Sequence, residues 1–168
     1  MDVFSKLLAL SFWEKLVNSH GFLAMFSLIL FGAGIVLYFV VKKSSYFIVW
    51  LQSVLLLLFI NLVLLDTAGL MAYIPYRASD GPRTTLMASE STAWLHSVIF
   101  EHKEFLAFAP PLLILVAFLL AYFLRKNFNN EKVLVLRRSL LFSLISALVL
   151  VLLVAAEAVL VTKAAPLK

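Results

Sequence analysis

Four stretches of this chain carry no formal charge over the length a helix needs to cross a bilayer: Leu16–Val41, Ser44–Leu65, Phe105–Leu124 and Ser139–Ala156. A hydrocarbon core about 30 Å thick is crossed by about 20 predominantly apolar residues in a helix. Lys42 and Lys43 close the first run, Asp66 meets the second, Arg125 and Lys126 close the third, and Glu157 interrupts a fourth that continues to Thr162. These runs predict an all-α fold: an integral membrane four-helix up-down bundle, with an N-terminal interfacial helix, in a single membrane domain over residues 1–168. The expected spans are residues 20–41, 46–69, 98–124 and 137–162. Over residues 1–18 the apolar side chains are broken by Lys6, Glu14 and Lys15, and no basic segment precedes them. That pattern suits a helix lying in the membrane interface better than a secretory signal peptide.

Composition supports the same class. The chain is 64% hydrophobic, where soluble chains run about 45–50%. Cysteine is absent, which removes disulfides, thiolate-held clusters and thioether-linked haem from consideration. The net charge of +5 is no signature of nucleic-acid binding, because most Lys and Arg flank apolar runs. Lys42 and Lys43 fill the short first link, and Arg125, Lys126, Lys132, Arg137 and Arg138 fill the third. Arg77, Arg83 and Lys103 are spread along the longer second connection. By the positive-inside rule the dense links face the cytoplasm of a multi-pass cell-membrane protein, and both termini are extracytoplasmic. Tyr73, Tyr76 and Trp94 are placed for an aromatic belt at the outer interface, with Trp50 and Tyr122 towards the inner one.

With this topology one ionisable group from each span falls at the same face. His20 opens the first span, Asp66 ends the second, Glu101 and His102 open the third, and Glu157 lies about one turn inside the end of the fourth. Charged side chains cost about 2.5–3.5 kcal/mol at mid-membrane and less near its edge, so they turn into the bundle or towards water. His20, Ala24, Ser27, Phe31 and Gly34 share one helical stripe, a histidine above mostly small residues, which predicts room for a flat ligand. Pro110 and Pro111 remove the donors for the carbonyls of Leu106 and Ala107 and predict a kink in the third span. Gly32-Ala33-Gly34 reads as a helix-packing notch.

Two histidines on different helices suffice to ligate a b-type haem, so His20 and His102 are the candidate cofactor ligands. The alternative is a direct metal site from His20, His102, Asp66 and Glu157, a mixed nitrogen and oxygen set. Against both stands the plainer role of interfacial histidines, since about 33 Å of helix from His20 to Lys42 puts His20 at the bilayer edge. His96 is about 240° round a helix from His102 and reads as loop or interface. Glu101, Lys103 and Glu104 read as a solvated helix start, with the acids favoured by the helix dipole.

The segments HGFLAMF at His20, DTAGLMAY from Asp66 and IFEHKEFLAFAPP around His102 resemble a family of four-helix bacterial and archaeal membrane proteins. Its members carry a histidine opening the first span and a His-Glu-type segment leading into the third. Here Lys103 follows the histidine, and Glu104 comes one place later. The resemblance implies the four-span architecture and a shared outer face, draws attention to His20 and His102 without naming a ligand, and transfers no activity.

Three function classes follow: a haem b electron-transfer or redox-associated subunit, a cofactor-free accessory subunit of a larger membrane complex, and a small metal- or proton-linked transport protein. The partners expected are the lipid bilayer and either other membrane subunits or further copies of the chain. No nucleophile–base pair, nucleotide loop or zinc-protease motif marks an enzyme.

Overall fold

The computed structural model describes residues 9–165, except for the side chain of Lys126. Among these residues there is no strand. Four helical segments are long and apolar enough to cross a membrane: Phe12–Lys43, Ser45–Tyr76, Glu90–Leu124 and Glu131–Ala164, with mean hydropathies of 2.4 to 2.8 over their most apolar stretches. The fold is therefore the all-α four-helix architecture of a membrane protein.

Helix α1, Phe12–Lys43, begins at a reciprocal cap. The Glu14 amide donates to Ser11 Oγ at 3.2 Å, and the Ser11 amide donates to Glu14 Oε2 at 2.7 Å. The Ser-x-x-Glu spacing satisfies two of the amides that a helix start leaves unpaired. From there α1 runs without a break, so Phe12–Asn18 form its first turns. Residues 1–8 of the expected interfacial helix lie outside the described residues. Lys42 and Lys43 fall in the last turn of α1, where cations oppose the helix dipole. A 3-10 turn over Ser45–Phe47 leads into α2, Ile48–Tyr76.

The second connection contains short helices, α3 (Pro82–Met87) and α4 (Glu90–Trp94). A π-turn over Leu95–Phe100 passes into α5, Glu101–Ala107, and α6, Ala109–Leu124, follows. The expected proline kink is a full break at Phe108. Pro110 and Pro111 lie in the first turn of α6, where helical amides have no partner within the helix. Two 3-10 turns, Arg125–Asn127 and Glu131–Val133, lead into α7, Leu134–Ala164.

The helices pack as two antiparallel hairpins. α1 lies along α2, α6 lies along α7, α2 joins the pairs by packing on α6, and α1 meets α7 over a shorter stretch. Buried positions recur in steps of three and four: Leu51, Leu55, Leu58 and Leu62 on α2, Ile114, Ala117 and Ala121 on α6, Leu140, Leu144 and Ala147 on α7. The stripe of α1 is also inward, with Ser27 and Phe31 fully buried. Only 28–39% of each span's most apolar stretch is buried, and residues such as Phe39, Phe123, Phe142 and Val149 point outward. A surface of that kind is solvated by lipid chains.

Gly34 is the notch the sequence suggests. A Cβ placed on it lies 3.6 Å from Leu144 Cδ2 and 3.9 Å from Leu55 Cδ2, whereas one on Gly32 meets nothing within 4 Å. Gly34 thus lets α1 approach α7 where their contact is limited. Gly34→Ala is expected to leave thermal stability in detergent nearly unchanged, because 3.6 Å is ordinary van der Waals contact. Gly34→Leu is expected to lose about 1–3 kcal/mol through overpacking, while Gly32→Leu stays close to the parent.

Candidate functional site

The end of the bundle carrying His20, Asp66, His102 and Glu157, here the histidine end, contains one tight ionisable pair. His102, in the first turn of α5, faces Glu157 on α7 with Nδ1 and Oε1 2.8 Å apart. A carboxylate oxygen only accepts, so Nδ1–H is the donor and the neutral ring carries its lone pair on Nε2. The two partners differ in access: the His102 side chain is 54% exposed and that of Glu157 only 9%. Glu157 Oε2 is buried without a hydrogen-bond partner. Lys103 lies within electrostatic reach of Glu157 and of His20, and its ammonium sits 4.4 Å from the centre of the Phe100 ring. The pair is thus an exposed imidazole bonded to a buried carboxyl.

His20 turns to a different neighbour. Its Nδ1 lies 3.1 Å from the Leu65 carbonyl oxygen on α2, which again assigns the proton to Nδ1 and frees Nε2. Its Cε1 would be 3.3 Å from a Cβ at Gly69, so the glycine leaves the imidazole room to lie against α2. Asp66 follows Leu65 on α2 but belongs to neither histidine. It lines a groove between α2 and the third span beside Phe108 and Pro111. Among the described residues no three His, Asp or Glu side chains come together as a metal site.

The column below His20 is occupied by protein. Asn61 Nδ2 donates to Ser27 Oγ at 2.7 Å and to the Leu23 carbonyl at 3.0 Å, and the Ser27 hydroxyl donates to the same carbonyl at 3.0 Å. Phe31 is fully buried, and Leu144 and Leu55 close over Gly34. For a haem between His20 and His102, the donor chemistry fits. Each Nδ1 is held by an acceptor while Nε2 points free, the arrangement that orients metal-ligating histidines. The packed column does not fit a porphyrin, which would need α1 and α2 to part.

A second polar cluster involves a residue that helical periodicity dismisses. His96, expected at a loop or interface, is only 4% exposed. Arg83 Nε donates to His96 Nε2 at 3.1 Å, so His96 Nδ1–H must be the donor to the Tyr76 hydroxyl at 3.0 Å. The Tyr76 ring stacks on Phe100 at 4.0 Å and 3°, and Tyr73 stacks on Phe100 at 5.6 Å. Tyr76 therefore turns into a small core with Leu86, Leu95 and Val161 rather than joining an interfacial belt, whereas Trp94 remains 49% exposed. Lys103 and Glu104 are partly buried beside this core, unlike the exposed Glu101. Helical spacing relates His96 only to His102, and its partners Tyr76 and Arg83 lie 20 and 13 positions away, where local spacing does not reach. Asn61 had a visible signal, a lone amide inside a leucine run that must find a partner in a bilayer.

Chemically, the histidine end offers an exposed base bonded to a buried acid, a second histidine braced against a backbone carbonyl, and an isolated carboxyl in a side groove. No family model matches the chain, and comparison with curated proteins and with solved structures finds no match.

His96→Ala leaves Arg83 Nε and the Tyr76 hydroxyl without their partner. It is expected to cost about 1–3 kcal/mol and to speed proteolysis between Arg77 and Ser91 in the detergent-solubilised protein. A protection pattern identical to the parent's would show that the cluster does not hold the connection down.

Proposed function

We propose that this protein is a proton-linked membrane protein that takes up protons at its histidine end through His102 and holds them on Glu157. The carrying observation is the 2.8 Å contact between a half-exposed imidazole and a buried carboxyl whose other oxygen has no partner. An intramembrane carboxyl joined to water through a histidine has the form of a proton relay. The imidazole can take a proton from water at its free Nε2 and then release the Nδ1 proton to the Glu157 carboxylate. Below the pair the polar groups of the core are spent on each other: Asn61 on Ser27 and Leu23, and Gln52 on the Ala121 carbonyl. This favours proton binding that is coupled to a partner or a conformational change over a continuous wire through one copy. The largely apolar exterior suits lipid and also leaves α-helical faces on which other membrane subunits, or further copies, can pack.

A haem b subunit is the second reading, favoured by the matching Nδ1-held state of His20 and His102, and it requires α1 and α2 to part from their present packing. When bound, haem supplies one-electron chemistry. The chain's part would be to present the two Nε2 atoms. A Soret band in the purified protein that disappears in His20→Ala and His102→Ala would carry this reading, and a colourless preparation would end it.

Infrared difference spectra recorded across a pH step test the proton reading. A carboxyl signal that follows the pH step is expected in the parent, absent in Glu157→Gln and altered in His102→Ala. A difference spectrum that Glu157→Gln and His102→Ala leave unchanged would overturn it.

Orientation follows the charge asymmetry, with the short, Lys- and Arg-rich links in the cytoplasm and the histidine end outside. Because the chain has no cysteine, single replacements report it directly. Ser89→Cys is expected to react with an impermeant maleimide added to intact cells, and Ser44→Cys only after permeabilisation. The reverse pattern inverts the topology.

A further inference from the structure

A groove of about 330 Å³ lies between α2 and the third span, facing outward from the bundle. Its walls are Phe59 and Val63 on one side and Phe108, Leu112 and Leu115 on the other, with Asp66 as the charged group among them. The break at Phe108 accounts for its position, since the third span is interrupted between Ala107 and Ala109 and Pro111 lines the gap. Val63, Phe108 and Leu112 are 42%, 49% and 62% exposed, so the groove opens towards the surrounding lipid.

Asp66 has no partner among the described residues. No side chain there hydrogen-bonds or ion-pairs with its carboxyl. The nearby Thr67 hydroxyl donates instead to the Val63 carbonyl at 2.8 Å. From Asp66 to the end of α2 at Tyr76 is about 15 Å of helix, so the carboxyl is not a residue of the helix terminus. Ionisable groups at such positions are costly and are paired or used. Among the described residues no cation pairs with Asp66, so when ionised it is open to a counter-charge from outside the chain, and the groove opens beside it.

We propose that this groove is a binding site for a lipophilic organic cation, with the positive centre against Asp66 and its apolar groups between Phe59, Phe108 and Leu112. Three features select that chemistry. The lone carboxylate complements one positive charge. Two aromatic rings flank it, and ring faces attract cations where water is scarce. The volume lies at the small end of the range for small-molecule sites. The site is separate from the His102–Glu157 pair, which faces α7.

Equilibrium dialysis of radiolabelled tetraphenylphosphonium against the full chain in lipid nanodiscs tests this. Saturable binding near one cation per chain is expected, with little binding of tetraphenylborate, which has the same shape and the opposite charge. Asp66→Asn, nearly isosteric, is expected to weaken binding at least tenfold, and Leu112→Trp to weaken it by filling the groove. His102→Ala is expected to bind as the parent does, and unchanged helical circular dichroism confirms that each variant is folded. The proposal is overturned by non-saturable binding, by equal affinity in Asp66→Asn, or by equal binding of the two ions. It is also overturned if a phospholipid stays bound at one per chain and the cation does not displace it. A change from dimer to monomer in Leu112→Trp, with no cation bound by the parent, would make the groove a contact between copies and overturn it as well.

Discussion

Hydrocarbon offers no hydrogen bonds, so a chain that crosses it must satisfy its own backbone, and the rest of this structure is arranged around that demand. The helices do most of the work, and the irregular places show how the remainder is met. Pro110 and Pro111 occupy the first turn of α6, where amides would be unpaired anyway. At the opposite end of the bundle side chains complete the accounting. Asn129 donates to the Val41 carbonyl at 3.2 Å and Arg137 donates to that of Phe128 at 3.2 Å. Those two bonds tie the link between α6 and α7 to the end of α1 and to the start of α7.

Polar side chains inside the spans obey the same rule. Ser27, Thr67 and Thr162 each donate to a carbonyl four residues earlier, the local bond that costs a helix little. Gln52 and Asn61 reach across to neighbouring helices and so fix how α2 is rotated against α6 and α1. Against that background two carboxyl groups stand out. Glu157 leaves one oxygen buried and unpaired, and Asp66 pairs with nothing among the described residues. Stability favours neither arrangement, because an unpaired buried polar group costs about 1–3 kcal/mol and a charged one more. Both lie towards the histidine end, one facing α5 and the other facing the groove. Two separate departures from an otherwise satisfied framework mark two separate places where something from outside is expected to bind.

The four spans were legible because uncharged length alone identifies them, and the observed helices extend each expected span at one or both ends. The stripe from His20 to Gly34 was legible too, since α1 is a regular helix and steps of three and four keep their meaning along it. What that stripe faces was not legible. Small residues imply close approach, but they do not say whether a ligand or another helix approaches; here Asn61, Leu55 and Leu144 fill the space. The pairing of His102 with Glu157, 55 positions apart, depends on the rotation of two helices about their axes, which local periodicity does not contain. His96 and Tyr76 were misplaced for a different reason: their environment is a folded connection, where hydropathy read as surface proves to be a second, smaller core.

That smaller core bears directly on the His102–Glu157 pair. The π-turn Leu95–Phe100 runs straight into α5, so whatever fixes the turn also fixes the direction of His102 two residues later. Phe100 is held by stacking on Tyr76 and Tyr73 and by the Lys103 ammonium above it, and His96 is held between Tyr76 and Arg83. In a turn with i→i+5 bonds each residue advances less than in an α-helix. The six residues of the turn therefore change the angle at which His102 leaves the helix from the one a uniform pitch would give. The buried histidine and the aromatic stack thus act as the mount for the exposed one. On this geometry the polar connection that looks like a loop in the sequence sets the aim of the imidazole at Glu157, and loosening it would misdirect the pair without touching either member.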